Sequence, residues 1–410
     1  MTSSDRRIAV GLFVLAFVTY AWFFGGGGWN QNAHFDLTRA IVERQTFHID
    51  GYRVNTGDIS WSPDAHAYSN KPPGLPFLAV TPYAAIYGIE RALGLSVDDW
   101  LVMTVNVYFL TLILCAAPGA LIAVVLFRHT RSIFTAWIVA FGTIVFPYST
   151  MLFSVVPAAL FLLLAFVWLD DRPLLAGVCA GIAGMCYYPC ILATAVLAIG
   201  ILLRSRRNGL RFIAGGLPFG ILLGYYHTIA FGAPWRTSLE VAQNFTERDL
   251  FLGLFRRGPT ADALWGLTLS EYRGLFFVSP VLLMAVVGAA IMIRRRVMLR
   301  ELAMIAAIVT IFLLLIASFN GWEGGASFGA RHILPIVPLL AIPIAFLRGR
   351  LLLAIAVVLA LASFAMHFMA TAVDPMPAGG IRFPMRAYYL PVFRTGNIPP
   401  GRGARRVPPS

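Results

Sequence analysis

The chain has 410 residues, 59% of them hydrophobic and 12% charged, with a formal net charge of +13. A soluble globular protein carries about 25% charged residues, so half that charge among repeated apolar runs excludes an ordinary soluble fold. It predicts an all-α polytopic membrane protein. The basic balance would suit a nucleic-acid binder. Its arginines, however, gather in short clusters between apolar runs, as membrane topology favours, and nucleic acid is therefore not expected as a partner.

In chain order, MTSSDRR precedes an apolar run from Ile8 to Phe24. The run ends YAWFFGGGGW, without the small-residue cleavage site of a leader. It reads as a first spanning helix, 8–24, with Arg6 and Arg7 in the cytoplasm. Ten further spans are predicted at 101–127, 133–148, 151–169, 173–188, 189–203, 211–231, 275–293, 302–319, 333–347 and 350–372. With the N-terminus cytoplasmic, the inner connections hold Arg128 and Arg131, Asp170 to Arg172, Arg204 to Arg211, Arg294 to Arg300, and Arg348 with Arg350. The outer connections at 148–151, 188–189 and 320–332 hold only Arg331. That asymmetry obeys the positive-inside rule.

The apolar segment 75–93, LPFLAVTPYAAIYGIERAL, is long enough to span. If it did, every later basic loop would face outward. It is expected instead to lie on the outer surface, as an interfacial or re-entrant element. Residues 25–100 and 232–274 then form two large outer regions of a single transmembrane domain, 1–372. The tail 373–410 is expected to be extracytoplasmic and largely disordered, with NIPPGRGARRVPPS as its most biased stretch.

Cys115, Cys179, Cys186 and Cys190 all fall in apolar segments and read as packing residues. His34, His48, His66 and His332 show neither HxxH nor HExxH spacing, so no metal site is expected. There is no phosphate-binding P-loop, no GxGxxG after a strand and no GxSxG elbow.

Chemistry-bearing residues cluster in the outer segments. After the first span, Asp36, Arg39, Ala40 and Glu43 share a helix face, which fits either a carboxylate held at the membrane surface or a surface amphipathic helix with an internal ion pair. TGDISWSPDAHAYSNKPPG adds Asp58, Asp64, His66, Tyr68 and Lys71. Lys71 is the only lysine in the chain, and the following proline biases it toward an extended backbone. A lysine there suits a phosphate or anchors among lipid headgroups. SEYRGLFFVSP supplies Glu271, Tyr272 and Arg273, and NGWEGGASFGARH supplies Trp322, Glu323, Arg331 and His332. Gly324 and Gly325 permit close approach of a ligand. Trp61, Tyr68, Trp235 and Trp265 could stack on a sugar ring or mark the membrane interface.

The long first outer loop, SNKPPG, SEYRGLFFVSP and WEGGASFGARHILP together resemble the GT-C superfamily of membrane glycosyltransferases. Within that superfamily the chain looks similar to protein O-mannosyltransferases and lipid A aminoarabinose transferases. The resemblance implies a GT-C-like bundle of about eleven transmembrane helices in a bacterial-type inner or plasma membrane. It implies juxtamembrane helices on the first outer loop. It also implies sugar transfer, with inversion, from a polyprenyl-phosphate donor to a glycan, lipid or protein acceptor on the extracytoplasmic side, among membrane lipids. A divalent metal is left open as a cofactor.

By that resemblance Lys71 and Arg331 hold the donor phosphate, and Tyr68, Glu271, Arg273, Trp322 and Glu323 contact substrate. Many members carry an acidic pair just after the first span, where this chain reads WNQN. Asp36 is therefore the expected catalytic carboxylate, with Asp58 and Asp64 as alternatives. A transporter or lipid flippase would place ionisable groups at mid-membrane, and here the spans hold little beyond His227 and His367. WNQN leaves a non-catalytic assembly subunit as a further reading.

Overall fold

The computed structural model describes residues 2–244, 255–256 and 258–396. Part of the second predicted outer region, and the tail from 397 for which disorder is expected, lie outside the described residues. The chain is mostly helical. Helix α1, Ser3–Trp22, opens with reciprocal bonds: the Thr2 hydroxyl accepts from the Asp5 N–H, and the Asp5 carboxylate accepts from the Thr2 N–H. Such a box satisfies two otherwise orphaned groups at a helix start. Four glycines then lead directly into helix α2, Trp29–Arg44.

Residues 31–40 of α2 are all buried, so α2 is not the surface amphipathic helix that its sequence allowed. The expected i,i+4 ion pair does form, with Arg39 Nε 2.7 Å from Glu43 Oε1. It forms inside the protein. Arg39 Nη2 also reaches Asp98, at 2.6 Å, and the hydroxyls of Tyr52 and Tyr83 donate to Glu43.

An antiparallel hairpin departs from the all-α expectation. Strand β1, Ile59–Trp61, pairs with β2, Ala67–Ser69, with Ile59 opposite Ser69 and Trp61 opposite Ala67. The turn closes through Ala65, whose φ of 62° lies in the left-handed region. Polar Ser62, Pro63 and Asp64 interrupt two short segments that alternate in character, a pattern too brief to stand out among long apolar runs.

Helix α3, Gly74–Ala92, starts immediately after Pro72 and Pro73. A Cβ at Gly74 would lie 2.4 Å from backbone atoms of Met185 and Cys186, so glycine lets the start of α3 rest directly on that chain. α3 packs on α2, with Phe35, Leu75, Ala79 and Tyr83 in a common apolar cluster.

Among the described residues, four helices are long and apolar enough to cross a membrane: Trp100–Thr130, Arg206–Phe231, Leu299–Ser318 and Arg350–Val373. Val155–Val167, Pro173–Cys186, Cys190–Arg204 and Arg331–Phe346 are shorter apolar helices. Four of the predicted spans are not continuous α-helix; Trp100–Thr130 carries a π-helical turn at Leu112–Ala116. Ile133–Phe141 stops at Gly142, and Leu275–Val278 gives way at Ser279 and Pro280. Residues 331–346 alternate between 3-10 and α turns around Pro335, Pro338 and Pro343, because each proline removes a backbone donor. Arg206–Phe231 leaves an apolar stripe exposed, Leu210, Ile213, Leu217 and Ile221, at helical spacing.

The tail is ordered as far as residue 396, contrary to the expected disorder. It folds back over the molecule. The Tyr389 hydroxyl donates to the Asp374 carbonyl at 2.9 Å, and Arg386 Nε lies 2.8 Å from Glu271. Tyr272 donates to the Gly379 carbonyl. Burial of Met376 and Tyr389 supplies the apolar contact that the composition of the last residues does not suggest.

Candidate functional site

The hairpin register builds the centre of the site. Continuing the pairing past Ile59 and Ser69 brings Asp58 and Asn70 together, and the Asn70 N–H donates to the Asp58 carbonyl at 3.0 Å. Lys71 follows, and its Nζ sits 3.0 Å from Asp58 Oδ2. The other carboxylate oxygen accepts from Asn244 Nδ2 at 3.0 Å, with Asn70 Nδ2 farther off at 3.4 Å. The Asp58 N–H donates to Thr56 Oγ1, which in turn donates to the Trp29 carbonyl at 2.7 Å. On the other strand the Ser69 hydroxyl accepts from the Lys71 N–H. Both ends of the hairpin are thereby tied down.

These residues open into a cavity of about 800 Å³, within the range of small-molecule sites. Its wall comprises Gly28 to Gln31 from the start of α2, Val54, Asn55, Asp58, Lys71, Phe153, Asn244, Gly324 to Ala326, Arg331 and Met376. Segments remote in the chain meet here. Arg331 lies with its guanidinium 5.4 Å from the centre of the Phe153 ring, and its Nε finds no hydrogen-bond partner among the described residues. Gly324 makes room for it: φ there is +75°, and a Cβ would come within 2.7 Å of Arg331 Nε.

The electrostatics follow from this crowding. Burial pushes the Asp58 carboxyl up, but the Lys71 ammonium and then Arg331 outweigh it and hold it below the ordinary carboxylate value. Burial lowers the Lys71 ammonium, Asp58 opposes that shift and Arg331 adds to it. His34 lies behind the pair, buried, with neither ring nitrogen hydrogen-bonded among the described residues. Burial, reinforced by Lys71, lowers its pKa to about 3, so it is neutral at physiological pH. Among the described residues, the cavity wall thus carries one carboxylate and two cations, an arrangement that favours an anion.

The other sequence candidates lie elsewhere. Asp36 is buried behind Asn55, whose Nδ2 donates to it at 3.1 Å, and does not line the cavity. Burial drives its carboxyl up to about 8. Asp64 is exposed at the hairpin turn. Tyr68 is buried against Phe231 with ring centroids 5.7 Å apart. Glu271 accepts from the tail through Arg386. Arg273 is buried and donates to the carbonyls of Glu323, Gly325 and Ser327, so it shapes the glycine loop that borders the cavity. Trp322 packs on Gly266 and edge-on to Tyr272. Glu323 contributes its main-chain carbonyl to Arg273.

Asn30, Gln31, Asn55, Phe153, Asn244 and Met376 were not among the sequence candidates. WNQN offered a signal, since three consecutive polar amides soon after an apolar run are uncommon company. Phe153 and Met376 offered none.

Among the described residues, one group of side chains has metal-ligand character: His48, Asp50 and His66, brought together beside β2. None of the three lines the cavity.

Fold and site together define a class: a predominantly helical protein with several apolar helices of membrane-spanning length and a cavity lined by two cations and a carboxylate. No protein-family model matches the chain, and no curated protein or solved structure matches it.

Proposed function

We propose that this is a polytopic membrane enzyme that transfers a sugar from a polyprenyl-phosphate donor to an acceptor hydroxyl, with Lys71 and Arg331 on the phosphate and Asp58 as the base. The observation that carries this reading is the meeting of Asp58, Lys71 and Arg331 in one cavity, with a surplus of positive charge among its described residues. A phosphate monoester or diester neutralises that surplus. The eleven apolar ranges, the arginine clusters between them and the exposed apolar stripe on Arg206–Phe231 support membrane insertion with a cytoplasmic N-terminus and the cavity outside.

The transfer step balances with groups on the cavity wall. The acceptor oxygen attacks the anomeric carbon, forming a new C–O bond. Its proton passes to the Asp58 carboxylate. The bond from anomeric carbon to phosphate oxygen breaks, and the phosphate leaves with the electron pair. Negative charge grows on the leaving oxygen, where Lys71 and Arg331 oppose it; losing one such preorganised group typically costs about 2.7–4 kcal/mol of barrier. Attack from the side opposite the phosphate inverts the anomeric centre. Asp36 does not suit the base: it is buried behind Asn55 and does not line the cavity. Its bond to Asn55 makes it a positioning residue for the cavity wall.

The test uses full-length protein in detergent and polyprenyl phosphate, the moiety every such donor shares. Native protein should gain thermal stability on adding it, and Lys71→Ala and Arg331→Ala should each weaken binding at least about tenfold. Native-like binding by both variants, or no binding by the native chain, would overturn the assignment.

A further inference from the structure

A second site lies on the same hairpin. His48 and His66 stack with ring centroids 4.7 Å apart and planes 23° off parallel. Between them stands one carboxylate oxygen, Asp50 Oδ2, 2.6 Å from His66 Nδ1 and 3.1 Å from His48 Nδ1. The three side chains offer donor atoms that all lie within 4.8 Å of one another. Despite that distance, His48 Nδ1 makes no well-directed hydrogen bond.

Backbone contacts hold the cluster in shape. The Ala67 N–H donates to Asp50 Oδ1 at 2.6 Å, leaving Oδ2 to face the rings. The Ile49 N–H donates to the Ala67 carbonyl at 2.7 Å. The segment 48–50 therefore lies along β2, and its alternation sends His48 and Asp50 to the side where His66 projects. A carboxylate oriented by an outer hydrogen bond is the usual support of a metal ligand.

We infer that His48, Asp50 and His66 form a binding site for a divalent transition-metal ion of the zinc type. Two imidazole nitrogens and one carboxylate oxygen match the donors zinc takes. They suit cobalt and nickel as well, whereas magnesium and calcium prefer all-oxygen shells. Bonds of about 2.0–2.1 Å in a tetrahedron set ligand atoms roughly 3.3 Å apart. The 3.1 Å separation is close to that, and the His66 ring, half exposed, has room to swing outward from 2.6 Å. Solvent reaches all three side chains, leaving the fourth position to water. The metal replaces the shared proton between the rings and the carboxylate, and it clips the chain at 48–50 to the hairpin whose two ends carry Asp58 and Lys71. The site acts as a staple for that hairpin.

The test is metal uptake by the full chain, purified without a histidine tag and stripped with a chelator. Cobalt chloride should produce visible absorption bands that saturate at one ion per protein, and zinc chloride should abolish them. Zinc should also raise the melting temperature by a few degrees, as any ligand of the folded state does. His66→Gln and His48→Gln should each weaken cobalt binding at least about tenfold; His66 is exposed enough for its variant to fold. Absence of one-to-one uptake by the native chain, or native-like uptake by a folded His66→Gln or His48→Gln variant, would overturn the inference. Metal uptake is read without donor or acceptor, so the result is separate from the transfer proposal.

Discussion

Two charge clusters, one around Arg39 and one around Lys71, differ in one respect. Around Arg39 the account closes. Its guanidinium meets Glu43 and Asp98, and the Glu43 oxygens accept from Tyr83 at 2.6 Å and Tyr52 at 2.9 Å. Around Lys71 it does not. Asp58 faces Lys71 at 3.0 Å with Arg331 nearby, and Arg331 Nε has no partner among the described residues. A half-buried cation with an unsatisfied N–H carries a desolvation cost, and a fold tolerates that cost where a ligand completes the match. The first cluster joins α2 to α3 and to the start of Trp100–Thr130. The second faces a cavity.

The largest expected effect breaks the comparison at its functional end. Lys71→Ala, Arg331→Ala and Asp58→Asn should each lower transfer about 10²–10⁴-fold, while Arg331→Ala leaves the melting temperature at or above that of the native protein. The acid limb sharpens the choice of base. Asp58 lies below its ordinary value of 3.8, so its ionised form persists and turnover should stay flat from about pH 7 down to about pH 5. If Asp36 were the base, turnover would instead climb toward its pKa of about 8.

Asp36→Asn comes next. Folded Asp36 keeps its proton to about pH 8, while the unfolded carboxyl releases it near 3.8. The stability this group contributes is complete below the unfolded value and is lost as pH rises through the folded one. Asparagine cannot titrate, so the variant's advantage in thermal unfolding should grow from about pH 4 to about pH 8, reaching several kcal/mol, and then level off. Turnover should stay within about tenfold of native, because Asn55 can still bond to the amide.

Glu43→Gln attacks the closed cluster. It should destabilise the protein by about 3 kcal/mol without changing polyprenyl phosphate affinity, the reverse of the Arg331→Ala pattern. A Glu43→Gln variant that lost ligand binding but not stability would erase the distinction drawn here. Gly324→Ala strains a left-handed residue and pushes on Arg331, at a cost of about 2 kcal/mol, with weaker phosphate binding. The smallest effect is at the hairpin turn: Ala65→Gly relieves a φ of 62° and should add up to about 1 kcal/mol.

The same two clusters show what can be read from residues alone. The Arg39–Glu43 pair was legible, since i,i+4 spacing makes neighbours on any helix. Its burial was not, because the tyrosines and Asp98 that enclose it come from other segments. Lys71 and Arg331 were legible as outliers, a solitary lysine before two prolines and an arginine after a glycine-rich loop. Tyr68, Glu271 and Trp322 had equally suggestive neighbours, yet they face protein. Helical spacing says which residues share a face and nothing about whether that face meets a cavity.

Sequence by itself determined the predominantly helical character and marked Lys71 and Arg331 as unusual residues, since these follow from hydropathy and rare residue types. Tertiary structure alone decided which carboxylate joins them. Asp36 and Asp58 carry the same group, but hairpin register carries Asp58 to Lys71 while burial behind Asn55 leaves Asp36 protonated. Ionisation depends on distances and solvent access that only the folded chain creates.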